Sequence, residues 1–221
     1  MKKIIIAGTS QFSSVMHKII TVENEDEVIA FTINREYIQS DTFEGKPVVA
    51  FEDLSETFDM TRYDIMLTFG YTQLNAIREK FYKECKDKGY NIYTFISKNS
   101  CVYTDSIGEG TIVLPSVYIG PFNEIGKCNI IWNGTNISHH STIGNFNNIA
   151  AGAILAGDVI IGNNCFLGVN TSYKNGVKVA SQSFIAASSY VSKNTKENTA
   201  YSGSPARSIK GITALELINL V

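Results

Sequence analysis

The stretch ISHHSTIGNFNNIAAGAILAGDVIIG, residues 137–162, contains an aliphatic side chain at every sixth position: Ile137, Ile143, Ile149, Leu155 and Ile161. The same phase extends in both directions. It begins at Ile107, Val113, Ile119, Ile125 and Ile131, and continues through Leu167, Tyr173, Val179, Ile185 and Val191. Of these fifteen positions only Tyr173 is not Ile, Leu or Val. A period held over so many units marks a repeat architecture. Six residues fit neither a helix nor a plain strand alternation. They fit a short strand followed by a corner, with three such faces to a coil, so residue n stacks under residue n+18. At a strand spacing of about 4.8 Å, five coils make a column of about 24 Å.

The position two before each aliphatic residue must also turn inward, where space is tight. It is nearly always small: Asp105, Thr111, Val117, Asn123, Asn129, Thr135, Ser141, Asn147, Ala153, Val159, Cys165, Thr171, Val177, Ser183 and Ser189. Glycine often follows the aliphatic residue, at Gly108, Gly120, Gly126, Gly144, Gly162 and Gly168. Glycine there permits close packing or a positive φ near the corner.

The first part of the chain follows a different pattern. Lys3–Ala7 is a buried-strand run ending at Gly8, Gln11–Thr21 a helix, and Glu27–Asn34 a strand. Pro47–Phe51 is a weaker strand, followed by a short helix at Glu52–Glu56. Tyr63–Phe69 is a strong strand. Thr72–Lys88 spaces Leu74, Ile77, Phe81 and Cys85 as an amphipathic helix closed by Gly89, and Asn91–Ile96 is a last strand. The alternation implies a small Rossmann-like parallel sheet over residues 1–96, with the repeat domain and its tail over 97–221. The coil is expected from about Ser97–Val102 to Ser192, then a turn-rich exit and a short helix over 215–221.

Composition narrows the classes of function. The net charge of −2 comes without a basic stripe, which argues against nucleic acid, and no apolar run is long enough to span a membrane. The four cysteines are scattered, as expected for reduced thiols in a cytoplasmic protein.

Two of the three histidines are adjacent, His139 and His140. They follow Ile137 by two and three positions and so fall at a corner, pointing outward. Pro121, Gly157 and Asn175 share the column of His139. A glycine above a corner histidine would leave an open ledge and an exposed N–H. His17 reads as a surface helix residue. In the first domain, Gly8, Thr9 and Ser10 could cradle phosphate through N–H groups. Asn34 and Arg35, with Gly70 and Tyr71, lie at the carboxyl ends of strands, where such sheets bind ligands. Asn75 and Arg78 read equally as binding or structural residues, and Trp132 as a wall of the site or a packing residue.

The repeat [LIV]-G-x-x-x-x resembles the hexapeptide-repeat family, whose members fold as a left-handed parallel β-helix. The segments Ile137–Gly144 and Ala156–Gly162 narrow the resemblance, together with Phe69-Gly70-Tyr71 and the Gly203-Ser204-Pro205-Ala206-Arg207 exit. They resemble the sialic-acid and bacillosamine-type sugar acetyltransferases, which join an α/β nucleotide-sugar domain to that β-helix. The resemblance implies direct acetyl transfer from acetyl-CoA to a nucleotide-linked amino sugar, a 4-amino deoxysugar being favoured, without a metal. An O-acetyltransferase of a sialic-acid-like sugar and a non-catalytic scaffold remain alternatives. It implies His139 as general base and the Gly157 N–H as oxyanion donor. It also implies a homotrimer in which acetyl-CoA runs along the column Asn133, Ala151, Val169 and Ala187. Pro205 and Arg207 would then meet its adenine and 3′-phosphate end. Relatives often set a carboxylate beside the histidine; here Glu124 and Asp158 are the nearest by stacking and the orienting group stays unassigned. Zinc hydratase chemistry on the same coil needs three histidine ligands, which this chain does not bring together.

Overall fold

The computed structural model describes residues 1–23 and 26–220. The chain divides into two units, Met1–Gly70 with Ile77–Tyr93, and Tyr71–Ala76 with the chain from Thr94 onward.

The first unit is a six-stranded sheet: β1 (Lys3–Ala7), β2 (Glu27–Ile33), β3 (Thr42–Phe43), β4 (Lys46–Ala50), β5 (Asp64–Leu67) and β6 (Asn91–Ile92), in the order β3-β4-β2-β1-β5-β6. All pairings are parallel except β3 with β4. That hairpin was not expected from sequence; it turns through Glu44 and Gly45, both at positive φ, a two-residue turn suited to strand twist. Helix α1 (Gln11–Glu23) packs Met16 and Ile20 inward, and α2 (Leu54–Thr57) buries Leu54.

Helix α3 runs Ala76–Asp87, not from Thr72. Gln73, Leu74 and Asn75 all adopt left-handed φ, between 49° and 67°, so the helix cannot start before them. Leu74 therefore leaves the helical stripe and packs with Phe184, Ala200, Ala214 and Ile218 of the second unit, to which it belongs. Gly89 closes α3 at φ 84°, as expected.

The second unit is a three-sided parallel β-helix of two-residue strands. Its rungs hold the predicted register: Ile119, Ile137, Leu155, Tyr173 and Val191 pair in sequence on one face. Val113, Ile131, Ile149, Leu167 and Ile185 form a second face, and Ile125, Ile143, Ile161 and Val179 the third. All but the half-buried Ile107 lie in one buried core. Each fully buried aliphatic contributes about 1.5–3 kcal/mol. The small inward positions are buried from Thr111 to Ser189; Asp105 is exposed, because the stack is incomplete there. Two buried asparagines, Asn123 and Asn129, cap carbonyls at the corners. Asn129 donates to Gly126 and Gly144, each at 2.9 Å, and accepts from the Asn147 N–H.

The corners correct the reading of the glycines. Positive φ falls three residues after each aliphatic, at every sixth residue from Gly110 to Ser188, with values of 51–74°. Only four of these fourteen residues are glycine. At ten of them, from Cys128 to Ser188, the N–H donates to the corner carbonyl nineteen residues earlier, at 2.8–3.3 Å. This bond offsets the cost of a left-handed residue, about 1–2 kcal/mol. The glycines directly after the aliphatics have ordinary φ and serve close approach. A Cβ on Gly120 would stand 2.1 Å from the Ser138 carbonyl oxygen.

The first rung is Phe95–Ile96, which pairs with Ile112–Val113, so only Asn91–Ile92 belongs to the α/β sheet. The exit is more regular than expected. Thr199–Ser202 adds to the coil beside Phe184–Ile185, and Arg207–Thr213 returns antiparallel to it. A helix at Ala214–Ile218 follows, started by a Thr213–Glu216 capping box. Of the helix expected over 215–221, Val221 lies outside the described residues.

Candidate active site

The corner that carries the histidine pair is set from inside the prism. Asn123, buried one coil below, donates to the Gly120 and Ser138 carbonyls at 2.8 Å and accepts from the Ser141 N–H at 2.8 Å. Ser138 and Ser141 bracket His139 and His140, so one amide holds both ends of the segment. The His140 N–H donates to the Pro121 carbonyl at 3.3 Å, and His139 returns its own carbonyl to the Asp158 N–H at 2.9 Å.

Both imidazoles are exposed. The His139 ring lies against Gly157: a Cβ there would stand 2.4 Å from Cε1 and 2.8 Å from Nε2. The ledge is thus covered by the imidazole, and Gly157 is buried. The Gly157 N–H has no hydrogen-bond acceptor among the described residues. His139 Nδ1 lies 3.1 Å from His140 Nδ1, with the rings edge to face. His140 in turn rests on Phe122, ring centroids 4.7 Å apart. Tyr118, Pro121, Phe122 and Ser138 complete a shallow recess around the pair. Tyr118 and Phe122 gave no sequence signal, because an exposed aromatic on a coil looks like any other variable position.

Among the described residues, neither the Glu124 nor the Asp158 carboxylate forms a hydrogen bond or ion pair with the His139 imidazole. Trp132 is not in the recess; its Nε1 donates to Asn148 Oδ1 at 3.3 Å.

The edges of the prism differ in how their outward N–H groups are used. On one edge Asn145 Oδ1, Asn163 Oδ1 and Ser181 Oγ cap the N–H groups of Lys127, Asn145 and Asn163 at 2.7–3.0 Å. On the edge of Asn133, Ala151, Val169 and Ala187 no such caps exist among the described residues. Val169 and Ala187 are exposed there, as are Pro205 and Arg207 on the tail, where Arg207 Nη1 donates to the Ala206 carbonyl.

In the first unit the structure changes the expected phosphate cradle. The Gly8 N–H is taken by the Thr32 carbonyl at 2.8 Å and the Ser10 N–H by Ser13 Oγ at 3.1 Å. Gly8 itself is required by φ 121° and by Thr68 Oγ1, 2.9 Å from a Cβ. Thr9 lines a recess with Ile38, Gln39, Ser40, Thr42, Phe43 and Val48, all missed in the sequence because they lie in the unforeseen hairpin region. Arg35 is held by Asp53 and its N–H by Glu52, which also accepts from Asn34. Backbone N–H groups of Glu52 itself and of Arg35 hold the Glu52 carboxyl below its usual range. Arg78 is buried and donates to the carbonyls of Phe69 and Gly70, and Asn75 donates to the Cys165 carbonyl, so both have structural roles. Gly70 and Tyr71 fall on either side of the division between units; Tyr71 packs on Phe166. His17 is half-buried against Phe31 and is not a plain surface residue.

No family profile matches the chain. The bifunctional protein GlmU of Clostridium botulinum is 32% identical over 127 residues. The match covers 47% of this chain and only 28% of that protein. Two solved structures match nearly the whole chain. The acetyltransferase domain of PglB from Neisseria gonorrhoeae has a TM-score of 0.83 at 18% identity, covering 95% of this chain and all of that one. A GDP-perosamine N-acetyl transferase from Caulobacter crescentus, in complex with CoA and GDP-perosamine, has a TM-score of 0.84 at 21% identity, covering 95% and 97%. The chain shares the fold of those two structures over nearly its whole length. Its coil is the left-handed parallel β-helix.

Proposed function

We propose that the chain is an acetyl-CoA-dependent N-acetyltransferase acting on a nucleotide-linked amino sugar. The observation that carries this reading is the exposed His139 imidazole seated on Gly157, with Nδ1 engaged and Nε2 left for chemistry. The support from outside the chain is that the similar PglB domain was solved with acetyl coenzyme A and the similar perosamine enzyme with CoA and a nucleotide amino sugar.

In this mechanism His139 Nε2 takes a proton from the sugar amine as the nitrogen attacks the thioester carbonyl. The imidazolium then returns that proton to the departing thiolate. General-base help of this kind is worth about 10²–10⁴ in rate. The Gly157 N–H serves as a donor to the oxygen that becomes negative, a role worth about 10²–10³ in comparable sites. Imidazole suits the work because it changes charge near neutral pH.

The uncapped edge of Asn133, Ala151, Val169 and Ala187 is assigned to the pantetheine of acetyl-CoA. Its N–H groups can donate to amide carbonyls, and Ala151 and Ala187 let a ligand approach the backbone. Pro205 and Arg207 are assigned to the nucleotide end of the cofactor, and a homotrimer to the assembly. The nucleotide of the sugar is assigned to the first unit at the Thr9 recess. Arg35, expected from sequence as a substrate-binding residue, is already paired with Asp53 and so contributes less there.

The test is acetyl transfer from acetyl-CoA to a panel of nucleotide-linked 3- and 4-amino sugars. Turnover by the wild type and its collapse in His139→Ala support the reading. A wild type inert toward every amine, or a His139→Ala variant equal to it, sinks the reading.

A further inference from the structure

We propose that His140 is a positioning residue: its Nδ1 accepts a hydrogen bond from His139 Nδ1–H and thereby fixes His139 in the tautomer whose Nε2 carries the lone pair. The inference rests on the reading of His139 as the base, which sets the direction of the bond.

Two ring nitrogens 3.1 Å apart share one proton between them. If both rings are neutral, one ring is Nδ1–H and the other presents a bare Nδ1. With His140 as donor, His139 would be protonated at Nε2 and could not take a proton there. With His139 as donor, Nε2 is free, and the same bond strengthens when His139 becomes an imidazolium, since a charged donor bonds more strongly.

Three features of the coil fix His140 for this task. Its backbone sits at φ 55°, one of the left-handed corners of the coil. Its N–H is tied to the Pro121 carbonyl. Its ring rests on Phe122 of the coil below, which is 71% exposed. The ionisable groups near the pair are Tyr118 in the recess and Asp158, one coil above His140; neither hydrogen-bonds to either imidazole among the described residues. The orienting role therefore falls to the His140 ring.

The test uses two variants that this backbone already tolerates. The coil places Phe146 and Gln182 at equivalent left-handed corners, both with φ 56°. His140→Phe keeps the stack on Phe122 and removes the acceptor, whereas His140→Gln supplies a carbonyl acceptor. With only three histidines, ¹⁵N-histidine long-range NMR resolves the His139 tautomer. The expected result is His139 as Nδ1–H in the wild type, a shift toward Nε2–H in His140→Phe, and recovery in His140→Gln. In parallel, kcat should fall on the order of 10-fold or more in His140→Phe with KM little changed, as for other groups that hold a catalytic histidine in one tautomer, and recover in His140→Gln. An Nε2–H tautomer in the wild type, or a tautomer unchanged in His140→Phe, overturns the proposal. If the wild type transfers no acetyl group, the functional reading fails, while the NMR result still decides what His140 does to His139.

Discussion

Replacing Gly157 with alanine puts a methyl group 2.4 Å from His139 Cε1, and only the imidazole can yield. We expect Gly157→Ala to fold, because Gly157 is not among the positive-φ glycines, and to lose acetyl-transfer activity about as severely as His139→Ala, by 10²-fold or more. Comparing kcat for the two variants checks this. Tyr173, the one break in the aliphatic series, is sealed inside the prism. Its hydroxyl has no hydrogen-bond partner among the described residues, the neighbouring Thr171 hydroxyl donating instead to the Gly168 carbonyl at 2.8 Å, and burial pushes its pKa up. Tyr173→Phe should therefore leave the melting temperature unchanged or raise it, by up to about 1 kcal/mol of stability; a clear loss would show a partner the hydroxyl does have. Desolvation against Phe31 lowers the His17 pKa, with Lys46 and Lys18 adding to the effect and Glu44 opposing it. The folded value lies below the unfolded one, so between them the unfolded chain binds more protons and stability is lost as pH falls. Urea unfolding in that window should show a shallower pH dependence in His17→Phe.

At the scale of elements, the inward asparagines hold successive corners together. Asn129→Ala leaves the carbonyls of Gly126 and Gly144 and the N–H of Asn147 without their side-chain partner, an expected loss of about 2–4 kcal/mol by chemical denaturation. Asn123→Ala should cost similar stability and in addition lower kcat, because it frees both ends of the His139–His140 corner; equal kcat would show that the corner holds its shape without the amide. Much of this was legible in sequence. The six-residue phase gave the faces, and the small residue two before each aliphatic gave the tight interior. The site of left-handed backbone was not legible, because the coil pays for it with a bond to the previous corner and so accepts Phe146 and Gln182 there. The start of α3 was misread for the same reason: Leu74 fits a helical stripe by spacing, yet its backbone is left-handed and its side chain belongs to the cluster at the end of the coil.

For the whole molecule, the open end of the coil is covered by chain that returns on it. Phe184 meets Ala200, and Ala214 and Ile218 close the same cluster. Ending the chain at Ser192 should expose this apolar surface, seen as dye binding and aggregation, whereas a repeat array without need of a cap would stay dispersed. The proposed homotrimer predicts a sedimentation mass of three 24.3 kDa chains. Coenzyme A at about 100 times its Kd should stabilise the protein by about 2.7 kcal/mol. A monomer that coenzyme A does not stabilise would remove the proposed groove.

The sequence by itself determined the repeat, its register and the outward corner that holds His139, because stacked strands allow one residue every eighteen to occupy each place. It could not determine what surrounds that corner. The imidazole covering Gly157, the Nδ1 contact with His140, the Phe122 platform and the pairing of Arg35 with Asp53 depend on side-chain directions, and a period constrains only the backbone. Those contacts were decided by packing between residues that share no spacing rule.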